Sequence, residues 1–123
     1  MIKGIFNADR EATIPLKVSG PNGQERDIVA MIDTGFNGYL TLPPAMIAEL
    51  GCPFLSHGTV IVGDGRVEDL EVYVATVVWD GQPRTVETDA SETEPLVGMS
   101  LIYGYDLWIR ALDGAAVSID KVT

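Results

Sequence analysis

The sequence is poor in the residues on which much small-domain chemistry depends. It has one cysteine, Cys52, and one histidine, His57, among 123 residues. One cysteine forms no internal disulfide and no cysteine metal clip, and one histidine excludes multi-histidine zinc sites. Basic residues are also scarce: 8 Lys and Arg stand against 18 Asp and Glu, giving a formal net charge of −10 at pH 7. A field of that sign repels phosphate, which argues against nucleic acid and anionic membrane as partners. Long hydrophobic runs are missing. The most apolar stretch, Val72 to Trp79, is too short to cross a bilayer as a helix, and the segment from Met1 to Arg10 lacks the apolar core of a secretion signal. A cytoplasmic protein without metal or other cofactor is the expectation.

Hydrophobic residues make up 46% of the chain, too many for a disordered segment. Residues 1–123 suit a single domain, which at this length buries roughly two-thirds of its unfolded surface. Strand signals dominate. Ile14, Leu16 and Val18 alternate with polar neighbours, and Pro21-Asn22-Gly23 is turn chemistry. Ile28 to Ile32 is apolar at every position and reads as a strand buried on both faces, running into Asp33-Thr34-Gly35. Pro44 and the helix formers Ala45 to Leu50, stopped by Gly51 and Pro53, predict a short helix. Hairpins are predicted around Gly63-Asp64-Gly65, between strands at Thr59–Val62 and Arg66–Val74, and at Asp80-Gly81. Another is predicted at Asp113-Gly114, between Leu107–Leu112 and Ala115–Ile119, and Met99 to Tyr103 can form a second short helix before Gly104. Short strands with regular turns and little helix predict an all-β barrel or sandwich.

Asp33 is the residue whose setting is unusual. A carboxylate at the end of a buried strand is costly unless hydrogen bonds or a proton compensate it. Thr34 offers a hydroxyl, and Gly35 lets the backbone turn so that amides face the carboxylate. The same tripeptide also closes ordinary strands as an Asx-type turn. Other candidates are weaker. His57 reads as a polar residue beside a strand and Cys52 as a small buried apolar one. Gly35-Phe-Asn-Gly38 lacks the lysine and spacing of a phosphate-binding loop. Glu87, Asp89, Glu92 and Glu94 match no calcium loop and read as a solvated acidic loop. Trp79 and Trp108 lie in apolar strands and are expected in the core.

The segment Asp33-Thr-Gly-Phe-Asn-Gly-Tyr-Leu-Thr-Leu-Pro43, preceded by Met31-Ile32, resembles the active-site loop of the retroviral-protease-like aspartic proteases, the retropepsins. It is especially similar to the small stand-alone prokaryotic members. Late in the chain Pro95-Leu96-Val97-Gly98-Met99, followed by Ser100-Leu-Ile-Tyr103, is similar to their second motif, two apolar residues and a glycine before a short helix. The resemblance covers essentially the whole chain. It implies a retropepsin-like closed barrel or sandwich of short strands and hairpins with one or two short helices. It further implies an aspartic endopeptidase that works as a homodimer on an extended peptide or protein substrate. Asp33 would be the catalytic aspartate, Thr34 the residue whose hydroxyl bonds across the dimer axis, and Gly35 the residue whose amide supports the carboxylate. Gly63, Asp64 and Gly65 would form the flap tip over substrate, and Leu96, Val97 and Gly98 would support the active-site loop. Strands near Ile2–Phe6 and Ala115–Ile119 would contribute to the dimer contact. Two positions depart from the family pattern: Met99 replaces an arginine common in viral members, and Asn37 a small hydroxyl residue. Two other readings share these residues. One is a catalytically inactive, dimeric peptide-binding module of the same fold, and the other is a small β-barrel interaction domain in which Asp-Thr-Gly is accidental.

Overall fold

Strands form where β-branched and aromatic residues alternate with polar ones, because one face of each meets the core. The computed structural model describes residues 1–61 and 63–123. Among them are ten strands and two short helices. In chain order these are β1 (Ile2–Phe6), β2 (Ala12–Ser19), β3 (Glu25–Ile32), β4 (Leu40–Leu42), α1 (Pro44–Leu50), β5 (Phe54–Ile61) and β6 (Val67–Trp79). There follow β7 (Gln82–Ala90), β8 (Leu96–Val97), α2 (Met99–Ile102), β9 (Tyr105–Ile109) and β10 (Ala116–Lys121). The predicted strand end at Val62 lies outside the described residues. No helix among the described residues is long and apolar enough to cross a membrane.

One sheet runs in the order β5-β6-β7-β4-β8-β3-β2-β1-β10-β9. A further pairing of β6 with β2 closes six strands, β2, β3, β8, β4, β7 and β6, into a barrel. The closing seam is short, with Val18 opposite Val77 and Ser19 opposite Thr76. The chain is therefore all-β with a closed barrel, as its patterning predicts. Inside, Ile14 and Val18 of β2 meet Leu40 and Leu42 of β4, Val77 of β6, Val97 of β8 and Leu101 of α2, all essentially without solvent contact. Burying each such side chain stabilises the fold by about 1.5–3 kcal/mol. Helix α1 starts at Pro44, where no backbone donor is needed, buries Ile47 and Leu50, and ends at Gly51 as predicted.

Four expectations need correction. β3 is buried on one face only: Ile28, Ala30 and Ile32 point inward, but Val29 is 64% exposed on the barrel exterior. The β5–β6 hairpin is longer than predicted, since its strands start at Phe54 and continue to Trp79. Local turn signals fix its tip but not how far the ladder extends. Trp79 is core, 3% exposed, whereas Trp108 is 50% exposed with the Arg110 guanidinium 5.3 Å from its ring centroid. Its alternate neighbours Leu107 and Tyr105 take the inward positions. Finally, Glu87 and Asp89 are not in a loop but on β7, and only Glu92 and Glu94 follow it.

Asp89 lies opposite Val72 of β6 and Thr41 of β4. Burial, and secondarily the charge of Glu87, push its carboxyl pKa up. The folded state then holds this proton more tightly than the unfolded chain does. Stability from this group is full below the unfolded pKa and is lost as pH rises through the folded one. Asp89→Asn is thus expected to raise the melting temperature at pH 7 by about 2 °C and to leave it unchanged at strongly acidic pH. Thermal melts at both pH values check this; an equal shift at both would remove ionisation as the cause.

Candidate active site

Asp33 follows the last residue of β3, and its position is set by β8. The two strands are parallel, with Met31 opposite Leu96 and Ile32 opposite Val97. β8 also pairs antiparallel with β4, Leu40 opposite Val97. A strand from late in the chain thus lies between two consecutive early ones, and residues 33–39 must pass over its end. The Asp33 N–H donates to the Val97 carbonyl at 2.9 Å, and the Gly98 N–H to the Tyr39 carbonyl at 3.0 Å. The Met99 N–H donates to Phe36 O at 2.8 Å and the Ser100 N–H to Gly38 O at 3.1 Å. Of the sequence-predicted Leu96-Val97-Gly98, Val97 is therefore bonded to Asp33 and Gly98 to the far end of the loop at Tyr39.

Gly98 is buried, and its small size is what permits the crossing. A Cβ there would lie 2.1 Å from the Gly38 carbonyl oxygen and 2.7 Å from the Phe36 ring. Its φ of −97° is open to any residue, so the requirement is close approach alone. Around Asp33, the Gly35 N–H donates to its Oδ1 at 3.0 Å, and the Phe36 N–H donates to the Asp33 carbonyl at 3.1 Å. Asp33 is half-buried, while Thr34 and Gly35 are exposed. The carboxylate is held by backbone and faces a surface that this chain does not cover.

The predicted flap tip lies elsewhere in the fold, at the end of the β5–β6 hairpin. Gly63, Asp64 and Gly65 are all exposed, and nothing lies within 4 Å of a Cβ built on either glycine. Asp64 is engaged by its own turn: Oδ1 accepts the Arg66 N–H at 3.1 Å and Oδ2 the Arg66 Nε at 2.6 Å. Apolar side chains are exposed along this hairpin, including Phe54, Leu55, Val60, Ile61 and Val67. Gly65 has φ +84°, where a β-branched residue is strained. If the hairpin closes on substrate, Gly65→Val is expected to lower kcat/KM about tenfold. The strain should also lower the melting temperature by a few degrees, with the fold otherwise intact, because nothing lies within 4 Å of a Cβ built at Gly65. An unaltered kcat/KM would separate this hairpin from the cleft.

Beside the loop lies a polar hollow of about 400 Å³, lined by Asn37, Tyr39, Arg84, Met99, Ser100 and Tyr103. Arg84 reaches it from β7, donating from Nη1 to the Leu101 carbonyl at 3.1 Å, with its guanidinium 5.7 Å from the Tyr39 ring centroid. Ser100 Oγ donates to the Asn37 carbonyl. Arg84 thus links α2 to the loop of residues 33–39 at Tyr39. The sequence does not single it out, since a lone arginine in a strand carries no local signal.

The remaining candidates stay apart from this site. Cys52 is buried, which pushes its thiol pKa up and away from the nucleophilic thiolate. His57 is exposed on β5 and packs edge-on against Phe54, with centroids 5.1 Å apart. No group of three or more His, Cys, Asp or Glu placed to hold a metal ion occurs among the described residues. No family model matches this chain, and a search of curated proteins returns no similar sequence.

Proposed function

We propose that this chain is one half of a homodimeric aspartic endopeptidase of the retropepsin type, with Asp33 from each copy forming the catalytic pair. The observation that supports this reading is the pairing of Leu96-Val97 with Met31-Ile32, continued by the bond from the Asp33 N–H to the Val97 carbonyl, which joins the two segments. The two segments that resemble retropepsin motifs are far apart in sequence, and β8 joins them by pairing with both β3 and β4. The order of elements supports the same reading: strand, aspartate loop, α1, exposed hairpin, inserted β8, then α2.

One carboxylate is not enough for the reaction. Attack of water on a peptide carbonyl needs a base for the water proton and an acid for the developing oxyanion. Two close carboxylates resist ionising together, so the pair retains one proton. The ionised Asp33 takes a proton from water, and its partner's protonated Asp33 hydrogen-bonds the carbonyl oxygen and then helps protonate the departing amine. The Gly35 N–H bond to Oδ1 orients the carboxylate. The chain carries a single Asp-Thr-Gly, so the second copy comes from a two-fold dimer. An extended, mainly apolar peptide fits such a cleft, because a strand-like substrate directs alternate side chains into pockets.

Digestion of a peptide library over a range of pH, with and without a statine-type inhibitor, tests this function. Cleavage with a bell-shaped pH profile that the inhibitor abolishes is expected. A rate still rising in strong alkali, or indifference to the inhibitor, would rule out the carboxylate pair. Inhibitor binding without cleavage would replace the protease by the peptide-binding module.

A further inference from the structure

A second copy has to attach somewhere, and the sheet leaves few places for backbone pairing. β1 and β10, expected from the resemblance to take part in the dimer, are largely occupied: β1 lies between β2, which pairs with Ile5 and Phe6 alone, and β10, and β10 lies between β1 and β9. Among the described residues, β5 and β9 end the sheet and each leaves one edge unpaired along its whole length. β5 carries no Asp, Glu, Lys or Arg, so its charge selects no register. β9 differs.

In the β9–β10 ladder the Arg110 N–H donates to Ala116 O at 3.3 Å, and the Val122 N–H to Gly104 O at 3.1 Å. Backbone groups alternate in direction along an antiparallel strand. Asp106 and Trp108 therefore bond inward to β10, while Tyr105, Leu107 and Ile109 turn their N–H and C=O groups to the open edge. Side chains alternate too. Asp106, Trp108 and Arg110 share the exposed face, with Trp108 half exposed. Asp106 sits opposite Asp120, a like-charge pair, and neither has an ion-pair partner among the described residues. Arg110 has no carboxylate partner among them either, and rests on Trp108.

We propose that a second copy of this chain pairs with the open edge of β9, antiparallel, about a two-fold axis at Trp108. A two-fold perpendicular to the sheet keeps side-chain faces in common, so the axis must pass through a residue position. At Trp108 it sets Asp106 against the partner's Arg110, twice, and places the two Trp108 rings side by side. Leu107 and the partner's Ile109, whose backbone groups point outward, then exchange hydrogen bonds. At Leu107 or Ile109 the axis brings no opposite charges together. The partner's Arg110 also relieves the Asp106–Asp120 repulsion. The pairing rests on the proposed function in one respect: both call for a two-fold dimer, whose single axis would have to pass Trp108 and also run between the two Asp33 residues.

Sedimentation at low ionic strength, over a range of concentrations, tests the pairing with Asp106→Arg, Arg110→Asp and the double variant. Each single reversal turns two attractive pairs into two repulsive ones and should weaken the dimer on the order of 30-fold. The double variant restores the complement and should return within about threefold of wild type. Tryptophan emission gives a second readout: it should shift to the blue as the wild-type dimer forms, because Trp79 is already buried and Trp108 becomes so. Both substituted positions are exposed, so the far-UV circular dichroism of every variant at room temperature should match wild type. A monomeric wild type, a dimer indifferent to the single reversals, or a double variant no better than either single overturns the pairing. Cleavage, measured on the same proteins, keeps the two ideas apart. A dimer that obeys the charge swap but cuts no peptide sinks the protease and keeps the pairing; one that cuts peptides regardless of the reversals does the opposite.

Discussion

Asp33→Asn is expected to lower peptide cleavage by several orders of magnitude while leaving a folded dimer. The change is nearly isosteric and removes the ionisable group from both halves of the site at once, so neither copy can act as base for water. The bonds that position residue 33 are mainly from the backbone: its N–H to Val97 O and its carbonyl to the Phe36 N–H. An amide oxygen can still accept the Gly35 N–H that now meets Oδ1. Stability should therefore stay within about 1 kcal/mol of wild type. Peptide affinity should persist, since strand-like contacts do not use this carboxylate. Cleavage of an identified peptide, with mass and melting followed in parallel, makes the comparison. Equal cleavage by both proteins would remove Asp33 from the mechanism.

The largest effect on stability is expected at Gly98. In Gly98→Ala the new methyl would meet the Gly38 carbonyl, 2.1 Å from the built position, with the Phe36 ring at 2.7 Å, and the Gly38 backbone cannot swing aside as a flexible side-chain end could. The loop over β8 must lift, which breaks the Gly98 N–H to Tyr39 and Ser100 N–H to Gly38 bonds. Overpacking of this kind costs about 3 kcal/mol, corresponding to a fall in melting temperature of roughly 10 °C. Gly63→Ala is the control, because nothing lies within 4 Å of a Cβ there. Denaturant unfolding of both variants gives the comparison. Similar stabilities would mean that the loop and β8 are not locked together as described.

Much of this arrangement is legible in the amino-acid order alone. The alternation in Ile14, Leu16 and Val18 places β2 with one face inward, Pro44 and Gly51 bound α1, and Asp80-Gly81 makes the predicted two-residue turn with φ of 51° and 81°. These are local signals, and local physics fixes the outcome. Val29 and Trp108 depart from expectation because hydrophobicity does not say which side of a sheet faces water. Their neighbours Ala30 and Leu107 take the inward places, a choice made by register with distant strands. Glu87 and Asp89 read as loop because acidic residues disfavour strands, yet pairing with β6 and β4 prevails. At the site, Asp33 is legible from its setting at the end of an apolar strand, and Gly98 only through the resemblance. The approach of Gly98 to Gly38, and the reach of Arg84 to Leu101, belong to the closed barrel and have no trace in local sequence.

β6 carries a mechanical consequence. Over its thirteen residues one continuous strand changes from hairpin arm to barrel wall. Between Val67 and Glu71 its partner is β5 alone, whereas Thr76 and Val77 are paired on both sides, by β7 and β2. The hairpin is thus a cantilever clamped at the seam, with no loop hinge along this strand. A load applied at Gly65 bends the strand and is carried to the contact of Val18 with Val77, the short closure of the whole barrel. Amide exchange should record the clamp: Thr76 and Val77 exchange only with global unfolding, and Val67 to Leu70 by local opening. Anything that holds the tip down would then also tighten the seam, so a ligand gripping the hairpin stabilises parts of the barrel it never touches.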